Sequence, residues 1–296
     1  MPELPELLVY VEALRTRVLG RSLRRVRLAS PFLLRSVDPP VEAMEGRQVT
    51  GCRRLGKRIV LEFDAQFNLV FHLMISGRFR WQDTQGVKVP AKLGLAAFDF
   101  SNGTLILTEA ASRKQASLHV VRGSQELRAV DAGIEVLDCD ETAFGERLTR
   151  ENHTLKRALT DGRLFSGIGN AYSDEILHAV GLSPIKLTSR LGDDEIRRLH
   201  VAVRTTLATW IERLQAQFSG RFPGPGQVTA FRPQFAVHGK FGQPCPRCGA
   251  KVQRICYARN ETNYCPACQT QGHILADRSL SRLLKEDWPR SLDQLE

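Results

Sequence analysis

No stretch of this chain approaches the roughly 18–20 consecutive apolar residues that a membrane-spanning helix needs, and the most apolar strand-like run, Leu69–Ile75, is interrupted by His72. A secretory signal is missing too: MPELPELLVYVEALR places Glu3 and Glu6 where such a signal would carry basic residues leading into an apolar core. No internal repeat is visible. Negative charge is scarce, with 32 Asp+Glu against 42 Lys+Arg, a net +10. These absences predict a soluble, intracellular protein. The positive excess points to a polyanion, either nucleic acid or an anionic membrane surface. Hydrophobic residues at 42% are enough for real cores and exclude wholesale disorder. At roughly 150 residues per domain, 296 residues suggest two domains.

Helical spacing opens the chain, with Leu7, Leu8, Val11, Leu14 and Val18 on one stripe and Gly20 as the stop. Short β-like runs follow from about 22 to 122: Leu23–Leu28, Arg58–Phe63, Leu69–Ile75, Gly94–Phe100 and Thr104–Thr108. The last two flank Ser101-Asn102-Gly103, a hairpin signal. The first half therefore reads as a β-sandwich or barrel preceded by one helix. Residues 123–141 are polar and read as a linker. Helical spacing returns at Ile196, Leu199, Val203, Leu207, Ile211 and Leu214, behind the acidic first turn Asp193-Asp194-Glu195. Residues 219–234 are rich in Gly and Pro and read as a loop.

Seven cysteines is an odd number, and four of them form two CxxC pairs, Cys245/Cys248 and Cys265/Cys268. Two such knuckles can set four thiolates at the corners of a tetrahedron, the closed geometry of one structural zinc ion. The remaining three, Cys52, Cys139 and Cys256, stand at no ligand spacing and read as buried thiols. Arg247, Lys251, Arg254 and Arg259 make the module basic, which suits phosphate contact. Further upstream, Gly167-Ile168-Gly169-Asn170 leads into a helix beginning near Tyr172, and a preceding helix ends near Asp161-Gly162. Glycines at a helix N-terminus let backbone amides approach a phosphate, although a plain helix-joining turn has the same composition.

The ordered motifs PELPE (2–6), RRLGKRIVLEF (53–63), HLMISGRFR (72–80), LKRALTDGRLFSGIGNAYSDEIL (155–177) and FAVHGKFGQPCPRCG (235–249) resemble the formamidopyrimidine-DNA glycosylase (Fpg/Nei) family, and the resemblance runs from Pro2 to Gln269. It implies an α+β multidomain fold: an N-terminal helix plus β-sandwich (1–132), a helix-two-turns-helix domain (142–234) and a C-terminal β-hairpin zinc finger (235–270). It also implies a bifunctional DNA glycosylase and abasic-site lyase of base excision repair, a cytoplasmic, nucleoid-associated monomer acting on damaged double-stranded DNA. PELPE favours the branch that removes oxidised purines. Endonuclease VIII-like action on oxidised pyrimidines or abasic sites, and a damaged-DNA-binding protein without catalysis, are the alternatives.

By the same resemblance, Pro2 becomes the N-terminal residue once Met1 is removed, and its secondary amine is the nucleophile. Glu3 is the proton donor, Lys57 holds a phosphate and assists proton transfer, and Glu6 orients the amine or sugar. Taken singly, Pro2 and Pro5 also fit helix-opening prolines, with Glu3 and Glu6 complementing the dipole. Lys156, Asn170 and the finger grip phosphates, while His72 and Arg113 lie along the DNA. The chain departs from the family pattern in four places. Ile75 stands where a methionine wedge is usual and Gln115 where a phenylalanine wedge is usual. Lys92-Leu93-Gly94-Leu95 replaces a His-Asp-His segment. Asn260 occupies the finger arginine's position, with Arg259 one residue earlier. These departures predict altered lesion choice and product pattern with the Schiff-base chemistry kept.

Overall fold

A computed structural model describes residues 1–123, 127, 133–229, 231–257, 260–277 and 289–294. Helix α1 (Leu4–Val18) starts on Pro5 in its first turn, where a missing N–H costs nothing. It buries Leu4, Leu7, Val11, Leu14 and Val18 along one stripe. Eight strands follow: β1 (Leu23–Leu28), β2 (Val49–Leu55), β3 (Arg58–Phe63), β4 (Phe67–His72), β5 (Gly77–Gln82), β6 (Gly94–Phe100), β7 (Gly103–Glu109) and β8 (Ser117–Arg122). They pair antiparallel into two four-stranded sheets, ordered β1-β6-β7-β5 and β2-β3-β4-β8.

The two sheets and α1 share one apolar core. Leu61, Phe71 and Leu118 from one sheet meet Phe79, Phe98 and Leu105 from the other, together with Leu7, Tyr10 and Leu14 of the helix. Phe71 packs edge-on against both Phe79 and Phe98, with ring centroids 5.1 Å apart in each pair, the geometry aromatic quadrupoles favour. This is the sandwich arrangement of the two that the sequence allowed.

Three of the sequence-read strands have the observed bounds. The Leu69–Ile75 run overshoots, because β4 stops at His72 and Met74 takes a positive φ of 52° in the following turn. Strands β2, β5 and β8 were not read from the sequence. At the Ser101-Asn102 turn the hairpin forms as expected, but Gly103 serves close approach rather than a left-handed backbone. A Cβ there would lie 2.5 Å from the Gln82 carbonyl oxygen and 2.6 Å from the Trp81 ring.

By internal contacts the chain divides into Met1–Ala132 with Trp210–Ala230, and Gly133–Thr209 with Phe231–Glu296. The second unit holds β9 (Ile134–Glu135) paired parallel with β10 (Phe165–Ser166), then α2 (Glu141–Thr149), α3 (Leu155–Thr160) and α4 (Asn170–Val180). The long helix α5 (Asp193–Phe218) begins in this unit, and its residues from Trp210 onward belong to the first. There Leu214 and Phe218 pack on Val9 of α1. Strands β11 (Gln253–Tyr257) and β12 (Asn260–Tyr264) form an antiparallel hairpin, followed by the short α6 (Pro266–Thr270). The described residues of the 219–234 loop contain neither helix nor strand.

Candidate active site and metal-binding finger

In the first unit the N-terminal segment is held by carboxylates. Pro2 is buried, and Glu3 and Glu6 expose only 3% and 2% of their surface. Glu6 Oε2 accepts the backbone N–H of Glu3 at 3.1 Å, closing the first turn of α1. The N-terminal amine, here that of Met1, lies in a crowded, charged environment. Burial lowers its pKa most, Arg78 and Lys57 lower it further, and Glu3 and Glu6 oppose them. Lys57 reaches this site from the β2–β3 hairpin. Its two-residue loop is Gly56-Lys57, with Gly56 at a φ of 58° and Leu55 paired with Arg58, a turn that requires glycine at its first position. Lys57 is thus a half-buried turn lysine rather than an exposed strand lysine.

His72 ends β4 opposite Arg58 on one side and Ser117 on the other. Burial, then Arg58, Lys57 and His119, push its pKa down to about 4. Its buried Nε2 has no hydrogen-bond partner. A neutral imidazole is therefore the form present near neutral pH.

Beyond His72, the turn 73–76 presents Ile75 at 60% exposure. Arg113 and Gln115 sit on the neighbouring segment after β7, Arg113 exposed and Gln115 half-buried. Neither loop is loose. Arg78 donates to the carbonyls of Ile75 (3.0 Å), Gly77 (2.7 Å) and Val228 (2.9 Å). Glu109 accepts from Ser76, Gln115 and Ala116. Sequence reasoning missed both Arg78 and Glu109, because bonds to turn backbone leave no residue-type signature and the remaining partners, Val228 and Ser76, are 150 and 33 residues away.

In the second unit Lys156 and Asn170 come together through buried Asp174. Lys156 Nζ donates to Asp174 Oδ1 at 2.5 Å and to the Asn170 carbonyl at 2.6 Å. Asp174, fully shielded from solvent, also receives His238 Nδ1 at 2.7 Å and the Asn263 backbone N–H at 3.1 Å. Asn170 Nδ2 in turn donates to the Glu261 carbonyl on β12. These bonds fasten the start of α4 to the finger hairpin. Glu175 accepts the consecutive backbone N–H groups of Ala236, Val237 and His238 at 2.8–2.9 Å, although its burial still raises its pKa. A cleft of about 560 Å³ in this unit is lined by His153, Lys156, Arg157, Asn170, Ile255 and Thr262.

The finger cysteines converge. One ligand atom from each of Cys245, Cys248, Cys265 and Cys268 lies within 4.8 Å of the others. Cys248 Sγ is 3.4 Å from Cys265 Sγ, and Cys245 Sγ is 3.9 Å from Cys268 Sγ. Four thiolates tetrahedral about a metal at about 2.3 Å would stand about 3.8 Å apart, so this donor set fits a closed tetrathiolate site. Buried His178 adds Nε2 at 3.2 Å from Cys245 Sγ. Of the three other cysteines, Cys52 is buried and Cys139 half-buried, but Cys256 is exposed, correcting its reading as a buried thiol. It sits on a hairpin that, among the described residues, pairs with no further strand. Arg259 lies outside the described residues, and Asn260 opens β12.

The profile of the formamidopyrimidine-DNA glycosylase N-terminal domain matches residues 1–131, and that of the same family's H2TH domain matches 130–220. The chain belongs to the formamidopyrimidine-DNA glycosylase family. A formamidopyrimidine-DNA glycosylase from Chloroflexus aggregans is 32% identical over 275 residues, covering 91% of this chain and 98% of the relative. Its counterpart in Heliobacterium modesticaldum is 30% identical, covering 91% and 100%. Among solved structures, the Lactococcus lactis enzyme bound non-covalently to abasic-site DNA superposes with a TM-score of 0.78 at 28% identity, over 90% of this chain and 99% of that one. The Thermus thermophilus family member gives 0.76 at 33%, over 90% and 98%. Among the described residues no helix is long and apolar enough to cross a membrane.

Proposed function

We propose that this chain is a bifunctional DNA glycosylase and abasic-site lyase of base excision repair, which removes oxidised purines such as formamidopyrimidine and 8-oxoguanine from double-stranded DNA. The observation that carries the reading is the N-terminal site, where Pro2, Glu3 and Glu6 are buried and the turn-borne Lys57 is near enough to lower the pKa of the adjoining Met1 amine.

With Met1 removed, the Pro2 secondary amine attacks C1′ of the damaged nucleotide, and the base leaves as the C–N bond breaks. Burial and neighbouring cations that lower an amine's pKa raise the neutral, nucleophilic fraction. Glu3 donates a proton to the ring oxygen, so the sugar opens to an iminium on Pro2. The iminium acidifies the C2′ proton. Its loss expels the 3′ phosphate by elimination, and Lys57 assists proton transfer while binding phosphate. Glu6 holds the first turn of α1, and with it the amine.

Lys156, Asn170 and the finger grip the DNA backbone. An ammonium has three donors; two of those on Lys156 are directed to Asp174 and Asn170, and the third suits a phosphate oxygen. The target nucleotide leaves the base stack, as chemistry at a base or its anomeric carbon demands, with Ile75 and Arg113 filling the gap and His72 lining the DNA path. The four cysteines hold one structural Zn²⁺, which keeps the finger folded and takes no part in the chemistry. The protein acts as a cytoplasmic monomer. Domain roles follow the three segments 1–132, 142–234 and 235–270.

Nicking of duplexes carrying 8-oxoguanine, formamidopyrimidine, thymine glycol or an abasic site tests the assignment. Cleavage strongest at the two purine lesions is expected. Cleavage only at thymine glycol and abasic sites would move the protein to endonuclease VIII-like specificity.

A further inference from the structure

Glu109 is the last residue of β7 and has 1% of its surface exposed, yet its carboxylate neutralises no described cation within ion-pair distance. Its oxygens are directed at two loops instead. Oε2 accepts the backbone N–H groups of Gln115 at 2.9 Å and Ala116 at 3.1 Å, and Oε1 accepts the Ser76 hydroxyl at 3.4 Å. The backbone of the same residue continues the pattern. Its carbonyl accepts from Lys114 Nζ, its N–H donates to the Leu93 carbonyl, and it pairs with Gly77 across the β5–β7 ladder. One rigid strand end thus holds the turn that presents Ile75 and the segment that presents Arg113 and Gln115. Buried acceptors that satisfy backbone amides are costly to remove, and placement errors of about 1 Å at a reacting site can cost about a hundredfold.

We propose that Glu109 is a positioning residue, whose carboxylate locks the Ile75 turn and the Arg113 loop in a fixed relation so that both enter the space vacated by the extruded nucleotide together. The proposal rests on the reading of Ile75 and Arg113 as gap-filling residues. Glu109 touches neither substrate nor the reacting atoms.

The test uses the full-length protein and a duplex with a non-cleavable abasic analogue opposite 2-aminopurine, whose fluorescence reports insertion beside it. Native protein gives a binding-induced change, and Ile75→Ala with Arg113→Ala abolishes it if those residues fill the gap. Glu109→Ala, and Glu109→Asp with its shorter reach, are expected to slow or diminish the change about tenfold at saturating protein. Glu109→Gln, whose amide oxygen still accepts the loop N–H groups, is expected to stay within about twofold of native. The aspartate variant keeps a carboxylate at the strand end, so it gives the answer should the alanine variant not fold. A native-like change in Glu109→Asp overturns the proposal, as does loss in Glu109→Gln equal to that in Glu109→Asp, since that would make charge rather than reach the requirement. An unaltered signal in the Ile75/Arg113 double variant overturns the gap-filling reading and the proposal built on it. Loss there with native behaviour in Glu109→Asp overturns the proposal alone.

Discussion

At the scale of single residues, buried polar groups in this protein have specific partners. Asp99, 7% exposed, accepts Arg27 Nε at 2.8 Å and Nη2 at 2.9 Å, with the Thr104 hydroxyl at 2.8 Å. Burial works against its ionisation, but these bonds prevail and hold its pKa below the usual carboxylate value. A carboxyl depressed in the folded state contributes stability above its unfolded pKa and loses that contribution as pH falls through the lower folded value. Asp99→Asn should therefore lower the melting temperature at pH 7 by an amount that corresponds to about 1–3 kcal/mol, and the gap to native protein should shrink below about pH 4. Thermal melts of both proteins across that range check the sign. His72 acts in the same direction over a higher range: with its pKa pushed down to about 4, protonation opposes folding as pH falls below about 6.5. His72→Gln should flatten that part of the stability profile.

At the scale of elements, the sequence was legible in the largely apolar runs of β3 and β6 and in β1, whose LRRVRL carries three arginines. β1, β3 and β6 have the bounds their residues suggested. β2, β5 and β8 are of similar length but carry fewer consecutive apolar residues than β3 or β6, with glycine and arginines in VTGCRRL and arginine or histidine inside GRFRWQ and SLHVVR. Even so, β5 alternates strictly, burying Phe79 between half-buried Arg78 and Arg80, and that period of two was the available signal. The finger was legible for a different reason, since metal-ligand spacing is a local constraint and CxxC pairs announce it. Its anchoring was not legible, because His178, Glu175 and Asp174 reach it from α4, some 60 to 90 residues earlier. Chelating the metal should abolish DNA binding while the β-sandwich stays folded. Circular dichroism and a binding assay on the same chelated sample check this, and unchanged binding would remove the finger from the DNA contact. Gly103→Val should disrupt the β5–β7 edge, since the new Cβ meets backbone at 2.5 Å; lower melting temperature with unaltered metal content is the expected result.

At the scale of the whole molecule, the net charge of +10 suits a protein that tracks a phosphate backbone, and most of it lies in the first unit, with 22 Lys+Arg against 14 Asp+Glu there and 20 against 18 in the second. Affinity for duplex DNA should fall with salt at a log–log slope of about −0.9 per phosphate neutralised. A flat dependence measured by fluorescence anisotropy would contradict phosphate recognition by this chain. The curated relatives are matched over almost their full length, whereas about a tenth of this chain lies outside those matches. Since the family profile begins at residue 1, the additional residues follow the finger. There Asp277 Oδ2 accepts the Cys256 N–H at 2.6 Å and the Tyr264 hydroxyl accepts the Leu275 N–H, so the described part of this extension is bonded to the hairpin.

The central claim is that the chain's own N-terminal amine is the nucleophile. Borohydride trapping on a duplex with one abasic site, with the N-terminal mass determined on the same sample, tests it most directly. Protein that begins at Pro2 should give a covalent protein–DNA band, with the DNA mapping to Pro2. Protein in which retained Met1 keeps the Pro2 nitrogen in an amide should give no Pro2 adduct. Failure of demonstrably processed protein to form the band would contradict the account.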